Sequence, residues 1–516
     1  MSKLDFVKKL YNGKNCYSDH MGESELQLLH ISSKAEGIVV DKIMHGNIVF
    51  LTGNPGDGKT FIIKAVRHKI GEDVYIQTDL NNIKDYSEVV KKLVTLHSQK
   101  KPAIVAVNEY PFMQLCRQIR NESRALYDEI QNAKRNILAY DISHPLVSNV
   151  AVVDLNERNM LGPDYNLLLG LINKMVSLLE EDAKHNSSLN YNLNAFKNEF
   201  IREQILSLFQ LAASECQHFA IRDILGAFSF IFTACTTEEY SNSLYFTAIF
   251  EGTNELLKTL QQFDPILLSK PSLDEALWNG RVTEGWIFSA PEHPPIDIED
   301  VDEAYARFKT IKRQYYFENI NGKKLAELQP DEIKECTRMF TNFEDQKKKT
   351  KGSLIRSLNK LFLPSSDDRK QLHIWTTHKY DMSQDAAVAV SSKAVDAADL
   401  EIQMPRPADW LSGLEYIPDH IVLKPKTAPT PKTAPTPKLV LNIDFLRTLN
   451  AVENGYPIGL LAPQYEQATA MFLQQLDEDG FSEVNEDGEI IIASRNKSYK
   501  KTIHIQNGKY DFEEEN

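Results

Sequence analysis

NIVFLTGNPGDGKT occupies residues 47–60 and carries the strongest structural signal in the chain. Residues 47–51 are a β-prone apolar run, which is typical of a buried strand. Residues 53–60 match G-x-x-x-x-G-K-[ST], a glycine-rich pattern whose backbone can surround a phosphate group. A helical pattern follows Thr60, so the stretch predicts a strand, a loop and a helix in succession.

The residue types in this loop suit a polyphosphate. Glycines allow backbone N–H groups to turn inward around a β-phosphate, and a helix N-terminus adds the positive end of its dipole. Lys59 would reach the β- and γ-phosphates, and the Thr60 hydroxyl would take one Mg²⁺ position. The predicted nucleotide-binding residues are Gly53, Asn54, Pro55, Gly56, Asp57, Gly58, Lys59 and Thr60. The alternative is a glycine turn that binds no nucleotide.

Three further apolar runs follow, at residues 74–78, 103–107 and 150–154, and the segments between them are long enough for helices. Strands that alternate with helical patterns indicate a parallel sheet covered on both faces. The predicted fold class is therefore α/β, with an AAA+-like P-loop NTPase sheet flanked by helices. A mostly helical region and a small α+β C-terminal domain are predicted to follow.

A polar pair at the end of the 103–107 strand is the first candidate for catalysis. Glu109 is the candidate general base or water-positioning residue, because a carboxylate can accept the proton of an attacking water. Asn108 stands where an Asp would be expected to hold Mg²⁺, so we predict it as a weaker metal-site residue. Asp79 and Asp154, each at the end of another predicted strand, are alternative carboxylates, although a strand-end cap explains either one.

Other candidates would act on the γ-phosphate. Asn156 follows the 150–154 strand and is predicted as a sensor residue if the sheet has the AAA+ order. Arg158 and Arg135 are candidate arginine fingers across a subunit boundary, because a guanidinium supplied in trans stabilises a transferring phosphoryl group. Arg222 opens a later amphipathic helix and is predicted to reach the phosphates as a second sensor. For each arginine, a surface position or a structural ion pair is the alternative.

Charge, cysteine spacing and the motifs that are missing from the sequence argue against several classes of function. The chain has 58 basic and 72 acidic residues and a net charge of −14, so it repels a nucleic acid overall. Its five cysteines contain no CxxC pair, which argues against a disulfide framework or a zinc site. No N-K-x-D signature for guanine is present, which favours ATP over GTP. Without an apolar run long enough to cross a membrane, the sequence predicts a cytoplasmic protein.

The predicted organisation has six parts. They are a helical lead-in at 1–45, the nucleotide-binding core at 46–162, a helical domain at 163–264, a mixed and mostly helical region at 265–425, a Pro-rich linker at 426–438 and an α+β domain at 439–516. The linker contains KTAPTP written twice, which predicts an extended, semi-rigid spacer.

Four blocks together resemble one family: GNPGDGKT at 53–60, AVNEYPF at 106–112, VVDLNERN at 152–159 and LYFTAIFEGTNELLKTLQQFDP at 244–265. They are similar to the P-loop ATPase subunit, the F component, of bacterial phosphorothioation-dependent DNA restriction systems. The similarity spans most of residues 40–380 and implies that Asn108 is a family trait. It also implies an accessory ATPase in a defence complex, with the other subunits as partners and with DNA contacted through them.

Three functions remain open at this point. The first is an ATP-hydrolysing subunit of a DNA restriction assembly, with a homo-oligomer as one arrangement. The second is a nucleotide-gated switch or scaffold that binds ATP and hardly hydrolyses it, for which Asn108 is the telling feature. The third is a signalling NTPase of the STAND type, against which the lack of a long repeat array counts.

Overall fold

A computed structural model gives the architecture. It describes residues 2–11, 21–78, 80, 83, 85–139, 148–161, 166–214, 218–241, 243–294, 300–328, 339–340, 343–379, 387–411, 414, 416, 418, 420–427, 436–456, 463–485, 488–494, 499–506 and 509–515. Asp79, one of the predicted strand-end carboxylates, lies outside the described residues.

The described elements are as follows. The helices are α1 Lys3–Tyr11, α2 Glu23–Leu29, α3 Lys34–Met44, α4 Lys59–Val66, α5 Ser87–Ser98, α6 Glu109–Glu122, α7 Arg124–Arg135, α8 Asn166–Ala183, α9 Ser187–Lys197, α10 Glu199–Ser214, α11 Ile221–Thr233, α12 Tyr245–Ala248, α13 Glu255–Gln261, α14 Pro271–Trp278, α15 Val301–Glu318, α16 Phe343–Lys360, α17 Ile443–Glu453 and α18 Pro463–Glu478. The strands are β1 Ile48–Thr52, β2 Tyr75–Gln77, β3 Ala103–Val107, β4 Leu138–Ala139, β5 Val150–Asp154, β6 Gln371–His373, β7 Thr376–Lys379, β8 Ala387–Ser391, β9 Lys393–Asp396, β10 Leu400–Gln403, β11 Arg406–Pro407, β12 His420–Pro425, β13 Leu439–Asn442, β14 Glu483–Val484, β15 Ile490–Ser494, β16 Tyr499–Gln506 and β17 Lys509–Glu515.

A four-stranded parallel sheet lies at the centre of the first half of the chain, in the order β2-β3-β1-β5. Every residue of β1, β3 and β5 is buried, as expected of a parallel sheet covered by helices on both faces. The predicted α/β class with a parallel, helix-flanked sheet is therefore confirmed. In the register, Thr52 lies between Val107 and Asp154, so the residues that follow three strands meet at one edge.

Contacts between backbones divide the chain into two units. The first consists of residues 1–329 and 407–417 and contains the sheet and the helices α1 to α15. Two apolar cores lie in this unit: one surrounds the sheet, and the other joins α1 to the helices between α8 and α15. The helical pattern predicted for 163–264 is present, and it continues through α15.

The second unit consists of residues 330–406 and 418–516, and its described residues form antiparallel sheets and the helices α16, α17 and α18. Mostly helical structure was expected through residue 425, but between Gln371 and Pro425 the described elements are the strands β6 to β12 and one 3-10 turn. These strands are short, and in β10 only alternate residues are buried, so the apolar pattern of such a strand is weak in the sequence.

The C-terminal boundaries also differ from the prediction. Strand β12 pairs with β13 in an antiparallel register, so the KTAPTP segment joins two neighbouring strands and does not separate two domains. Strand β15 pairs with β8, and one apolar core includes residues from both sides of the repeat. Residues 439–516 are thus part of a larger unit, which also includes residues 330–406. Residues 428–435 of the predicted linker lie outside the described residues.

Within the described part of the chain, every helix is either too short or too polar to span a lipid bilayer. Cys116 and Cys235 are buried free thiols, as expected of reduced cysteines.

Candidate functional site

The loop between β1 and α4 has a backbone that favours glycine at three positions. Gly53 has φ +145°, Gly56 has φ +105° and Gly58 has φ +85°, in the region that disfavours residues with a Cβ atom. A Cβ on Gly53 would lie 2.7 Å from Asp57 Oδ2, and one on Gly56 would lie 3.2 Å from the Arg222 side chain. The glycine positions of the motif are therefore explained by backbone conformation and by close packing.

Lys59 is folded back onto this loop. Its Nζ donates hydrogen bonds to the carbonyl oxygens of Gly53 and Asn54, each at 2.7 Å, and the residue is 9% exposed. Burial lowers the pKa of Lys59 to about 8, and the charges of Asp57 and Asp154 oppose this shift. Lys59 forms no salt bridge with the residues that the structure describes, so its buried ammonium is an electrostatic site for a phosphate.

Asp57 belongs to the loop and contacts both the loop backbone and His218. Its Oδ2 accepts a hydrogen bond from the Asn54 N–H at 2.5 Å, and its Oδ1 lies 2.8 Å from His218 Nε2. The other ring nitrogen of His218 lies 3.3 Å from the Arg158 carbonyl oxygen. Both nitrogens thus face acceptors, which suits the doubly protonated ring. Burial opposes protonation, but the hydrogen bond and charge of Asp57 raise the pKa of His218 above its ordinary value.

Arg222, the predicted second sensor, contacts the loop directly. Its backbone N–H donates to the Gly56 carbonyl oxygen at 3.3 Å, and its Nη2 donates to the Pro55 carbonyl oxygen at 3.3 Å. The start of α11 and the loop are therefore joined by main-chain and side-chain bonds.

Asn156 also contacts the loop: its Oδ1 accepts a hydrogen bond from the Asn54 N–H at 2.9 Å. Asp154 caps the 3-10 turn that holds Asn156, since its Oδ1 accepts from the Asn156 N–H at 3.0 Å. Burial raises the pKa of Asp154. This contact corresponds to the strand-end cap considered as the alternative role of Asp154.

A cavity of about 230 Å³ lies beside the loop. It is lined on one side by loop residues 55–60, together with the predicted residues Asn108 and Arg158. Its other walls are mostly apolar and come from the segment before α3 and from α8 and α11. Among the described residues, the cavity lining thus combines a glycine-rich loop and its lysine with mostly apolar side chains, as ligand sites commonly do.

Glu109, the predicted general base, is not among the described residues that line this cavity. Its Oε1 accepts a hydrogen bond from the ammonium group of Lys134 on α7, while Oε2 is buried without a partner among the described residues. Helix α6 begins at Glu109, so the carboxylate also lies at the positive end of a helix dipole.

Two predicted arginine fingers differ in exposure. Arg158 is 3% exposed and lines the cavity of its own chain, which favours action in cis over contact across a subunit boundary. Arg135, the last residue of α7, is exposed.

The described side chains of this site supply few ligands for a metal ion that binds without a nucleotide. Within the ranges that the structure describes, no group of three acidic, His or Cys side chains could hold a metal. Thr60 and Asn108 both line the cavity, so they supply a hydroxyl and an amide near the loop. Mg²⁺ keeps several waters and is commonly bound through substrate phosphates, so these two groups fit a Mg²⁺ ion that arrives with a nucleotide.

Sequence reasoning missed three residues at this site: His218, Lys134 and Glu36. His218 is held by Asp57, Lys134 by Glu109, and Glu36 is a buried acid that lines the cavity. Each is far from its partner in sequence or lies in a common helix-start pattern, so no local motif indicates it.

In comparisons with protein-family models, with curated proteins and with solved structures, nothing matched this chain.

Proposed function

We propose that this chain binds ATP with Mg²⁺ in the cavity beside residues 53–60 and hydrolyses it. The observation that carries the proposal is the buried ammonium of Lys59, held by carbonyl oxygens inside a loop of positive-φ glycines. ATP phosphates would replace those carbonyl oxygens as partners of Lys59, and inward N–H groups of the loop would hold the β-phosphate.

The parallel sheet supports assignment to the P-loop NTPase fold. Strand β1 leads into the loop, and its neighbour β3 leads into Asn108 and Glu109. In this proposal Thr60 and Asn108 orient the hydrated Mg²⁺, and the amide of Asn108 contributes no charge. Asn156 and Arg222, which already contact the loop, and Arg158, which lines the cavity, would contact the γ-phosphate.

Hydrolysis requires Glu109 to leave Lys134 and face an attacking water, because a carboxylate paired with an ammonium is a poorer base. This pairing is the specific observation that favours the second candidate, a nucleotide-gated switch that binds ATP and hardly hydrolyses it. In the switch, the loop and its bonds to Arg222 and His218 would transmit the presence of the γ-phosphate to α11.

The biological setting we propose is a bacterial DNA restriction and anti-phage defence complex that recognises DNA lacking phosphorothioate modification. Support comes from the four sequence blocks described above and from the acidic charge, which suits a subunit that contacts DNA through partners. The partners would be the other subunits of that complex. Several copies of this chain could also assemble, and the exposed Arg135 would then act as an arginine finger at the site of a neighbouring copy.

Binding and steady-state turnover of ATP by the purified chain test the proposal. We expect Lys59→Ala to abolish both, and Glu109→Gln to retain binding while kcat falls by about 10²- to 10⁴-fold. Lys64→Ala on α4 and Glu122→Gln on α6 are matched controls on the same helices. A Glu109→Gln variant as active as the wild type would exclude Glu109 as the base.

Addition of unmodified and phosphorothioate-modified duplex DNA, with and without partner subunits, separates the candidates. Turnover stimulated by unmodified DNA supports the restriction ATPase. Binding of ATP without turnover in every mixture supports the switch. No binding of ATP by the wild type would overturn both.

A further inference from the structure

Glu36 is a buried acid at the wall of the cavity. It lies in the first turn of α3, the helix that packs against α4, and is 2% exposed. One carboxylate oxygen, Oε1, accepts from the Ser33 N–H at 3.3 Å and lies 3.0 Å from His30 Nε2. The other, Oε2, is buried and has no hydrogen-bond partner among the described residues.

Helix capping accounts for only one of the two oxygens of the Glu36 carboxylate. Ser33 and Glu36 form a capping box, in which the acid satisfies a backbone N–H at the helix start. One oxygen and an exposed position are enough for that role, as Glu25 shows on α2, where the capped N–H belongs to Gly22 and the contact is exposed. A buried oxygen without a partner costs free energy, so Glu36 Oε2 needs a donor that the described residues do not supply.

The surroundings restrict what that donor can be. Apart from the glycine-rich loop, most of the residues that line the cavity with Glu36 are apolar, and they include Leu29, Ile31, Leu168 and Ile224. An ionised carboxylate only accepts hydrogen bonds. A flat, largely apolar ring with an amino group at its edge satisfies both conditions, and a ring with a carbonyl oxygen at that edge would face repulsion.

We propose that Glu36 reads the base of the bound nucleotide by accepting a hydrogen bond from the exocyclic 6-amino group of adenine. This inference rests on the proposed nucleotide site, in which the phosphates would lie at Lys59 and the base would lie against the apolar residues of the cavity. Glu36 is thus a specificity-determining residue, which selects a 6-aminopurine over a 6-oxopurine.

The test compares the binding of ADP, GDP and purine riboside diphosphate, in which a hydrogen atom replaces the 6-amino group. A hydrogen bond to a charged group is worth enough that the wild type should bind ADP at least about tenfold more tightly than purine riboside diphosphate. Glu36→Gln keeps a capping oxygen for Ser33 and presents an amide donor in place of Oε2, so the preference for ADP should fall to about twofold or less.

Glu25→Gln is the matched control, because it makes the same change in the capping box of α2, and it should keep the tenfold ratio. Equal binding of ADP and purine riboside diphosphate by the wild type, tighter binding of GDP, or an unchanged ratio in Glu36→Gln would each overturn the inference. Failure of the nucleotide site itself is distinguishable, since the wild type would then bind none of the three diphosphates and Lys59→Ala would change nothing.

Discussion

The carboxylate of Glu109, at the start of α6, accepts a hydrogen bond from the ammonium group of Lys134, near the end of α7. The two helices are consecutive, and each side chain remains about one-third exposed. Lys134 therefore restrains the residue that the sequence predicts as general base. In the proposed ATPase, turnover includes the cost of breaking this pair.

Removal of Lys134 should accordingly raise the rate of hydrolysis. A partly exposed ion pair contributes about 0.2–1 kcal/mol, so Lys134→Ala should increase kcat by up to about fivefold without changing ADP affinity. Arg124→Ala is the matched control, because it breaks an exposed ion pair with Asp128 on the same helix. Steady-state assays of both variants provide the measurement; a kcat that is unchanged or lower in Lys134→Ala would show that the pair does not restrain catalysis.

Nucleotide affinity should depend on pH through Lys59. Burial sets the pKa of Lys59 at about 8 in the free protein, and a bound polyphosphate would raise it. Below pH 8 the lysine is already charged, so affinity should be nearly constant there. Above pH 8 binding must take up a proton, so affinity should fall by about tenfold per pH unit.

ADP titrations between pH 7 and pH 9.5 measure this dependence. Lys59→Arg is the comparison, because a guanidinium stays protonated throughout that range and should remove the pH dependence even if affinity is weaker. An equally steep fall in both proteins would assign the effect to another group.

His218 should stabilise the folded chain more at low pH than at high pH. Its folded pKa is raised above the unfolded value of 6.5, so the stabilisation is complete below pH 6.5 and is lost as pH rises through the folded pKa. At pH 6 we expect His218→Gln to lower the free energy of unfolding by about 1.5–3 kcal/mol, the range for a hydrogen bond to a charged group. Urea unfolding at pH 6, 7, 8 and 9 measures this difference, which should shrink as pH rises.

His45→Gln is the control for that series, because His45 also lies beside an acid, Asp41, but is exposed. Its effect should be small at every pH. A loss in His218→Gln that is the same at pH 6 and pH 9 would mean that the contact with Asp57 acts without a charge on the ring.

The sequence predicted what local patterns determine. A run of β-branched residues predicts β1, the glycine spacing predicts a loop that requires positive φ, and the strand ends predict that Asn108 and Asn156 lie near that loop. Such local patterns do not predict contacts that depend on tertiary packing. His218 reaches Asp57 from a position 161 residues away, and its own neighbourhood contains no motif.

The same distinction applies to the roles of Glu109 and the KTAPTP repeat. The order of strand and acid identified Glu109, but the direction of its side chain depends on Lys134, which a separate helix supplies. Composition predicts an extended repeat, yet only the pairing of β12 with β13 shows that the repeat joins neighbouring strands. Sequence pattern thus predicts residue types and local conformation better than it predicts partners.

Leu423 of β12 pairs with Leu439 of β13, so the repeat connects the ends of two adjacent strands. The entropic cost of loop closure grows only with the logarithm of length, so deletion of residues 432–437, one KTAPTP copy, should stabilise the second unit by about 0.5 kcal/mol. A spacer between separate domains would instead leave the free energy of unfolding unchanged.

Replacement of the same six residues by GSGSGS is the length-matched control, and it should destabilise the second unit slightly because it adds conformational freedom to the unfolded chain. Urea unfolding of the three proteins tests this, and a loss of more than about 2 kcal/mol on deletion would show that the repeat makes specific contacts.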